Sequence, residues 1–477
     1  MSDPVQAPGS GCSECARLRT RLDTALQQIA ALQAQVLDLQ TQLNRNASNS
    51  SIPPSANPLS APKPVTKTPT GRRPGGQPGH RGSHRQRLPE DRVNHVVTYV
   101  PRSCTRCHAS LPAASQPDDP EPSWHQVAEL PELAAILTEY QGHARTCPRC
   151  GHLNTATIPA AVRAHTIGPR LAAVMSYLSG RHHRGKRAVQ EIVETVFEVP
   201  VSLGTVATLE QQTSAALAGA HDQARDAVRA APVKNTDETG WKQAGQRRWL
   251  WTAATPLVAY FIIPTRRGWD GLQTLLGEAV RGIVCSDRWS AYAKLLVAAR
   301  QLCWAHLKRD FQKLVDRGGP ADAMGRAGLK VVKDLFAVWE DFDAGRLDRA
   351  GLQTALDPIA QELHVALEQG RSCADAKAAT FCANILALEP ALWTFTRVEG
   401  VEPTNNLAER VLRSGVLWRK NAFGCHSEAG CRFAERMLTV VQTLRLQRRP
   451  VLDYLYRALV AHRSGTPVPA LLIPQGD

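Results

Sequence analysis

Upstream of Ala231 the apolar residues recur at helical spacing, and downstream they fall into short dense runs of the kind strands use. The first run, Pro232 to Glu238, carries Asp237 near its end. Arg248 to Thr255 and Leu257 to Pro264 (LVAYFIIP) follow, parted by the turn residue Pro256. An amphipathic helical stretch near Gly268 to Ala279 leads into a short buried strand, Gly282 to Ser286, and Asp287 comes directly after it. A strand at Arg300 to Cys303 then precedes a helix through His306 to Leu314. Three consecutive strands, then helix and strand in alternation, are the order of an RNase H-like α/β domain.

An open α/β sheet places its ligands beyond the carboxyl ends of its strands, which makes Asp237 and Asp287 candidates for one site. Glu409, on a later helix that also carries Arg410 and Arg413, is the candidate third acid. Each has an ordinary structural reading as well. Asp237 could be a turn acid in Asp237-Glu-Thr-Gly, and Asp287 the N-cap of a helix from Arg288 to Leu295. Glu409 lies three residues after Asn406 and could be its partner in a variant capping box. The joint order Asp, Asp, Glu favours a cage of hard oxygen ligands instead. Such a cage suits two Mg²⁺ (or Mn²⁺) ions about 4 Å apart, which stabilise the attacking and leaving oxygens of a phosphodiester.

Lys and Arg number 57 against 43 Asp and Glu, a net charge of +14, which favours a polyanionic partner. Hydrophobic residues make up 43% of the 477, enough for real cores in about three domains. No apolar run approaches the roughly 20 residues needed to cross a bilayer. The start, MSDPVQAPGSG, has neither the charged nor the apolar region of a secretory signal. The expected location is the cytosol, on the nucleoid when bound to DNA, where thiols stay reduced. The twelve cysteines then suggest metal ligands or core thiols. Cys104-Thr-Arg-Cys107 and Cys147-Pro-Arg-Cys150 are two knuckles that together predict one structural, four-cysteine Zn²⁺ site, with His108 and His152 as unneeded substitutes. Cys12-Ser-Glu-Cys15 has no partner pair in reach and is assigned no metal.

Toward the N-terminus, Leu18, Leu22, Ala25, Ile29, Leu32, Val36, Leu39 and Leu43 alternate steps of four and three. That is the seam of a self-associating coiled coil, the alternative being one amphipathic helix packed on the body. From Lys63 to Arg106 ten basic residues face two acids, Glu90 and Asp91. Within this stretch Gly71 to Gly82 (GRRPGGQPGHRG) is too rich in Gly and Pro to fold alone, and reads as an extended basic arm with Arg72, Arg73 and Arg81 as DNA contacts. Arg187 to Phe197 and Ser202 to Gln212, parted by Glu198-Val199-Pro200-Val201, resemble a helix-turn-helix with Ser202 as N-cap. Arg184, Lys186 and Arg187 would flank it on the DNA backbone. Beside Glu409, the cations Arg410, Arg413, Arg419 and Lys420 are either a solvated face or a grip on DNA.

Several motifs together resemble the insertion-sequence sixty-six (TnpC-type) bacterial transposases. They are Asp237-Glu-Thr-Gly-Trp241, Ser286-Asp-Arg-Trp-Ser-Ala-Tyr292, Cys303-Trp-Ala-His306 and Pro403-Thr-Asn-Asn-Leu-Ala-Glu-Arg410, with Ser51-Ile-Pro-Pro-Ser55, Gly75-Gly-Gln-Pro-Gly-His80 and Arg419-Lys420. The resemblance implies that Asp237, Asp287 and Glu409 are an acidic triad of the DDE type, and that Leu314 to Glu399 is a helical insertion. It also implies that two small accessory proteins accompany the chain. The stretch Trp339 to Asp343 reads as a solvated acidic face. His306 is a candidate phosphate contact, a packed histidine, or, less in keeping with its surroundings, a metal ligand.

The expected whole is a multidomain α+β protein. It comprises a coiled coil (16–44), a basic arm (45–100), a zinc ribbon (101–160) and a helical DNA-binding region (161–230). An RNase H-like core (231–313 and 401–450) is split by the all-helical insertion (314–400), and a C-terminal helix and tail (451–477) follow. The implied activity is metal-dependent cleavage and strand transfer of double-stranded DNA at the element's inverted repeats, by a homodimer or larger assembly. An inactive DNA-binding regulator and an RNase H-like nuclease are the alternatives.

Overall fold

The computed structural model describes residues 13–43, 45–46, 86–114 and 116–473. Arg72, Arg73 and Arg81 of the basic arm, and Cys12, lie outside the described residues. The chain divides into two compact units, Lys63–Leu137 in one and Met1–Pro62 with Thr138–Asp477 in the other.

The described residues of the smaller unit are largely irregular. The Gln126 side chain holds it across 38 residues, accepting from the Leu88 N–H at 2.8 Å and donating to the Leu88 carbonyl at 3.0 Å. Around Cys104 the chain turns tightly. The His108 N–H returns to the Cys104 carbonyl at 3.0 Å, and Ser103 bridges to Ser110.

In the larger unit, α1 (Ser13–Leu43) is a long helix whose Leu18, Leu22, Ile29, Leu32, Val36, Leu39 and Leu43 are each more than half exposed. A hairpin of β1 (Ala144–Thr146) and β2 (Leu153–Thr155) carries the second cysteine pair in its turn. The helices α2 (Ala160–Arg163), α3 (Pro169–Gly180), α4 (Lys186–Phe197), α5 (Leu203–Ala216) and α6 (Ala218–Ala230) follow. Ser202 caps α5, its hydroxyl accepting from the Thr205 N–H at 3.0 Å, and Glu198 ends α4 in the left-handed region at φ 56°.

The sheet comprises β3 (Val233–Gln243), β4 (Gln246–Ala254), β5 (Ala259–Ile262), β6 (Ile283–Ser286) and β7 (Arg300–Leu302), with α7 (Trp269–Leu276) between β5 and β6. Its order is β5-β4-β3-β6-β7. β3, β4 and β5 are an antiparallel meander, while β6 and β7 run parallel to β3. Ala244 and Gly245 both have positive φ, the two-residue turn whose twist suits a tight hairpin between β3 and β4. Where β3 leaves α6, the buried Lys234 ammonium donates to the Arg229 carbonyl at 3.1 Å, one of those that the end of α6 leaves open, and to the Arg281 carbonyl before β6 at 2.7 Å.

Asp237 was expected near the end of a strand closing at Glu238, and β3 instead continues to Gln243. Nine residue pairs with β4, from Asn235↔Ala254 to Gln243↔Gln246, hold the extension together. What ends after Asn235 is the parallel pairing to β6.

Beyond the sheet come α8 (Trp304–Arg317), α9 (Pro320–Asp343), α10 (Arg349–Arg371), α11 (Ala376–Leu386) and the short α12 (Thr394–Arg397), then α13 (Asn406–Ala422), α14 (Glu428–Leu446) and α15 (Val451–Ser464). Two apolar clusters result. One joins the meander to α3–α7 and α13–α15. The other builds α8–α12 outward from Cys285, Leu302 and Trp304 at the root of β6 and β7. Among the described residues no helix is long and apolar enough to cross a membrane.

Candidate active site

The register of the parallel pair brings Asp237 and Asp287 level. Asn235 is partnered with Cys285, and each aspartate lies two residues further along its own segment. Paired strands are about 4.8 Å apart, so the two carboxyl groups leave neighbouring positions at the carboxyl end of the parallel pairing. One oxygen of each is tied to nearby backbone. Asp237 Oδ1 accepts the Glu238 N–H at 2.9 Å, and Asp287 Oδ1 accepts the Trp289 N–H at 2.8 Å. The helix expected from Arg288 to Leu295 is a single 3-10 turn, Ser290–Lys294.

Glu409 comes to the same place from far along the chain. It lies in the first turn of α13, whose N-cap, Asn405, makes no capping bond with its side chain. The capping-box reading of Asn406 and Glu409 therefore gives way to a different arrangement. Asn405 Nδ2 donates to the Thr236 carbonyl at 2.7 Å, and its Oδ1 accepts from Asn235 Nδ2 at 3.1 Å. The Asn405 N–H reaches Cys303 Sγ at 3.2 Å, and the Trp304 N–H donates to the Pro403 carbonyl at 2.9 Å. These four bonds fasten the start of α13 to β3 and to the start of α8. The carboxylates then act on one another. Burial first, then the charges of Glu238, Asp287 and Glu409, hold the Asp237 carboxyl well above the usual carboxylate range, against the Glu238 N–H that pulls it down.

His306, in the first turn of α8, turns Nδ1 toward Glu409 Oε1 at 3.5 Å. Both atoms are buried, and neither has a hydrogen-bond partner. Burial, then the nearby Arg309, lowers the imidazole's affinity for a proton. Cys303, His306 and Glu409 each offer a donor atom, and these lie within 4.8 Å of one another.

Sequence reasoning missed the residues that hold the site. Glu238 is bound by Arg267 Nη2 at 2.8 Å and by the Tyr292 hydroxyl at 3.0 Å. Arg267 stacks its guanidinium 3.7 Å from the Trp289 ring centre. Asn405 and Cys303 were visible only as letters within motifs, because their partners are distant in sequence.

The expected cations differ in their circumstances. Arg410, Arg413 and Lys420 are exposed along one side of α13, while Arg419 turns inward to donate to the Gly240 carbonyl and to Thr239 Oγ1, the latter at 3.2 Å. Lys186 is paired with Glu210 across α4 and α5, and Arg184 and Arg187 are exposed. The helix α5 itself contains neither Lys nor Arg.

In each cysteine pair the chain turns back on its first cysteine. Cys104 Sγ accepts the Arg106 N–H at 3.4 Å, and Cys147 accepts the Gly151 N–H through its carbonyl at 2.9 Å. The N–H groups of the second cysteine and the residue before it, with the second thiol, hold Cys104 and Cys147 below the ordinary thiol range.

A family model described as the transposase IS66 family matches residues 165–433, more than half of the chain and all of the sheet. A family of unknown function (DUF6444) matches residues 11–86. Two proteins of Sinorhizobium fredii are similar in sequence. The uncharacterized protein y4hP is 26% identical over 407 residues, 76% of this chain and 71% of that protein. The uncharacterized protein y4qI is 27% identical over 248 residues, 46% of this chain and 45% of that protein. The chain belongs to the IS66 transposase family.

Proposed function

We propose that the protein binds the terminal inverted repeats of its element and performs metal-dependent cleavage and strand transfer, with Asp237, Asp287 and Glu409 as the DDE triad of an RNase H-like core. The observation that supports this is that β3, the end of β6 and the first turn of α13 bring Asp237, Asp287 and Glu409 near enough for the latter two charges to add, after burial and Glu238, to the rise of the Asp237 carboxyl. Grouping like charges in a part-buried place is unfavourable without a cation, and the orphaned Glu409 Oε1 fits a missing ligand. Oxygen donors of this kind suit Mg²⁺ or Mn²⁺.

In the proposed reaction Asp237, Asp287 and Glu409 would together hold the two ions. The ions, when bound, supply the positive charge that stabilises the attacking and leaving oxygens of a phosphodiester. A water displaces the 3′ oxygen at each element end, leaving a 3′ hydroxyl. That hydroxyl then displaces a 3′ oxygen of target DNA, with no protein–DNA bond at any stage. Asn405 acts as a positioning residue by fixing the first turn of α13 against β3.

DNA contact is assigned to the exposed cations. Arg410, Arg413 and Lys420 would lie beside the scissile phosphate, Arg184 and Arg187 would flank the α4–α5 helix-turn-helix, and Arg72, Arg73 and Arg81 would follow the backbone as an arm. Arg419 supports β3 instead. Cys104, Cys107, Cys147 and Cys150 would hold one structural Zn²⁺. The exposed seam of α1 suits pairing with a second copy, and synapsis of two ends requires at least two active sites. The two accessory proteins remain part of this proposal.

Asp237→Asn is expected to abolish strand transfer on end-containing oligonucleotides with Mg²⁺ while leaving end binding within about twofold. Loss of both together would assign Asp237 to structure rather than to chemistry.

A further inference from the structure

We propose that Cys303, His306 and Glu409 form a binding site for one zinc-class divalent ion, next to the Asp237–Asp287 pair and sharing Glu409 with it. The site itself stands on geometry, and its effect on activity rests on the reading of Glu409 as the third acid.

Three observations lead to it. The donor atoms come within 4.8 Å of one another from three different positions, the β7–α8 junction, the first turn of α8 and the first turn of α13. His306 Nδ1 and Glu409 Oε1 are 3.5 Å apart, both buried and both without a hydrogen-bond partner. Two ligands at ordinary zinc distances on a tetrahedron are separated by about 3.4 Å, so one ion between these atoms would satisfy both with almost no movement. The sulfur also receives a backbone donor. Cys303 is the N-cap of α8, and the N–H of Asn405 points at Sγ from 3.2 Å, as the Arg106 N–H points at Cys104 Sγ in the first cysteine pair. The gap of two residues between Cys303 and His306 is also that of the two CxxC pairs.

The chemistry of the set differs from that of the aspartates. A thiolate and an imidazole select zinc-class ions over Mg²⁺, whereas Asp237 and Asp287 offer only hard oxygen. Three protein ligands leave a fourth position open, the form of a zinc site that exchanges its last ligand. Loading releases the Cys303 thiol proton to solvent and forms the sulfur–metal bond, with no change of oxidation state. Because Glu409 would be held in this ion's coordination, excess zinc would withdraw the third carboxylate from the Mg²⁺ cage and inhibit strand transfer.

The test uses the full-length protein, loaded with Zn²⁺ and desalted, with zinc counted per folded chain by elemental analysis. About two ions are expected in the wild type, one on the four cysteines and one here. Cys303→Ser and Glu409→Gln should each hold about one fewer, and Asp237→Asn should hold as many as the wild type. Cobalt substitution provides a second readout, since thiolate-to-cobalt absorption should fall in Cys303→Ser by the share of one sulfur. The two variants disturb different elements, so a shared loss of one ion is not a folding artefact of either. Retention of the full count in both would overturn the proposal. A count that falls in Asp237→Asn would do so too, by placing the ion among the aspartates. Absence of strand transfer in the wild type would remove the reading of function while leaving the zinc count as a valid test of the site.

Discussion

Glu238 follows Asp237 in the sequence, yet the two acids do different jobs. Its side chain is only 2% exposed and is held by Arg267 and Tyr292 rather than offered to a ligand. Burial, followed by the charge of Asp287, raises its carboxyl, and the Arg267 bonds oppose that rise. Removing one partner of a buried pair leaves the other charge uncompensated, which costs about 3 kcal/mol or more. Arg267→Ala should therefore lower stability by roughly 3 kcal/mol in urea unfolding, while the conservative Glu238→Gln should cost clearly less. An equal and small effect of both would show that the pair contributes little. Which of two adjacent acids was paired could not be read from Asp237-Glu238, because strand alternation turns neighbours to opposite faces and the partner is 29 residues away. Asp237 is singled out by its place near a strand end, by the joint order Asp, Asp, Glu and by the motif Asp237-Glu-Thr-Gly-Trp241.

The edge of the sheet shows how a helix can complete a strand. β5 has β4 on one side only, and its outward N–H groups would be buried unsatisfied if an apolar helix covered them. α14 meets them with side chains four residues apart. Thr443 Oγ1 accepts from Ala259 at 3.1 Å, Thr439 Oγ1 from Phe261 at 3.0 Å, and Glu435 Oε1 from Ile263 at 2.6 Å. Thr439→Val keeps the shape and removes the acceptor, so it should destabilise the fold by about 1–3 kcal/mol, measurable as a lowered melting temperature. A neutral result would mean that the Phe261 N–H finds another partner. The succession of strands along the chain was legible because LVAYFIIP and the run before Asp287 are too short and dense for surface helices. The length of β3 was not, since Gly240 and Lys242 are poor strand formers that become strand only by pairing with β4. The clamp at Asn405 was hidden for the same reason, as an asparagine before a helix looks like a cap.

Across the whole molecule, two buried histidines tie distant helices to the body and set its response to acid. His183 Nε2 meets Ser414 Oγ at 3.2 Å, and His221 Nε2 meets the Phe261 carbonyl at 3.0 Å. Burial lowers both to about 4, so both are neutral in the folded state near pH 7. The unfolded chain protonates them near 6.5, so their contribution is complete above that pH and is lost as pH falls toward 4, by up to about 3 kcal/mol each. Asp237, Glu238 and Glu435, whose carboxyls are raised, act in the opposite direction. The difference between wild type and His221→Gln isolates one imidazole. The wild type should lose more stability than the variant between pH 7 and 5, and parallel curves would refute the assignment. The bond between Asn235 and Asn405 spans 170 residues, which has a consequence for the protein while it is being made. A ribosome moving at about 5–20 residues per second needs on the order of ten seconds to pass from Asp287 to Glu409. During that interval the emerging chain owns both aspartates and lacks the glutamate. A copy cut short by a premature stop before Asn405 keeps both aspartates and loses Glu409 together with α13, α14 and α15, which share one apolar cluster with α3–α7 and the meander. Such a fragment would lack the third carboxylate and the helices that close the larger apolar cluster alike, so the order in which the chain is written ties completion of the site to completion of the fold.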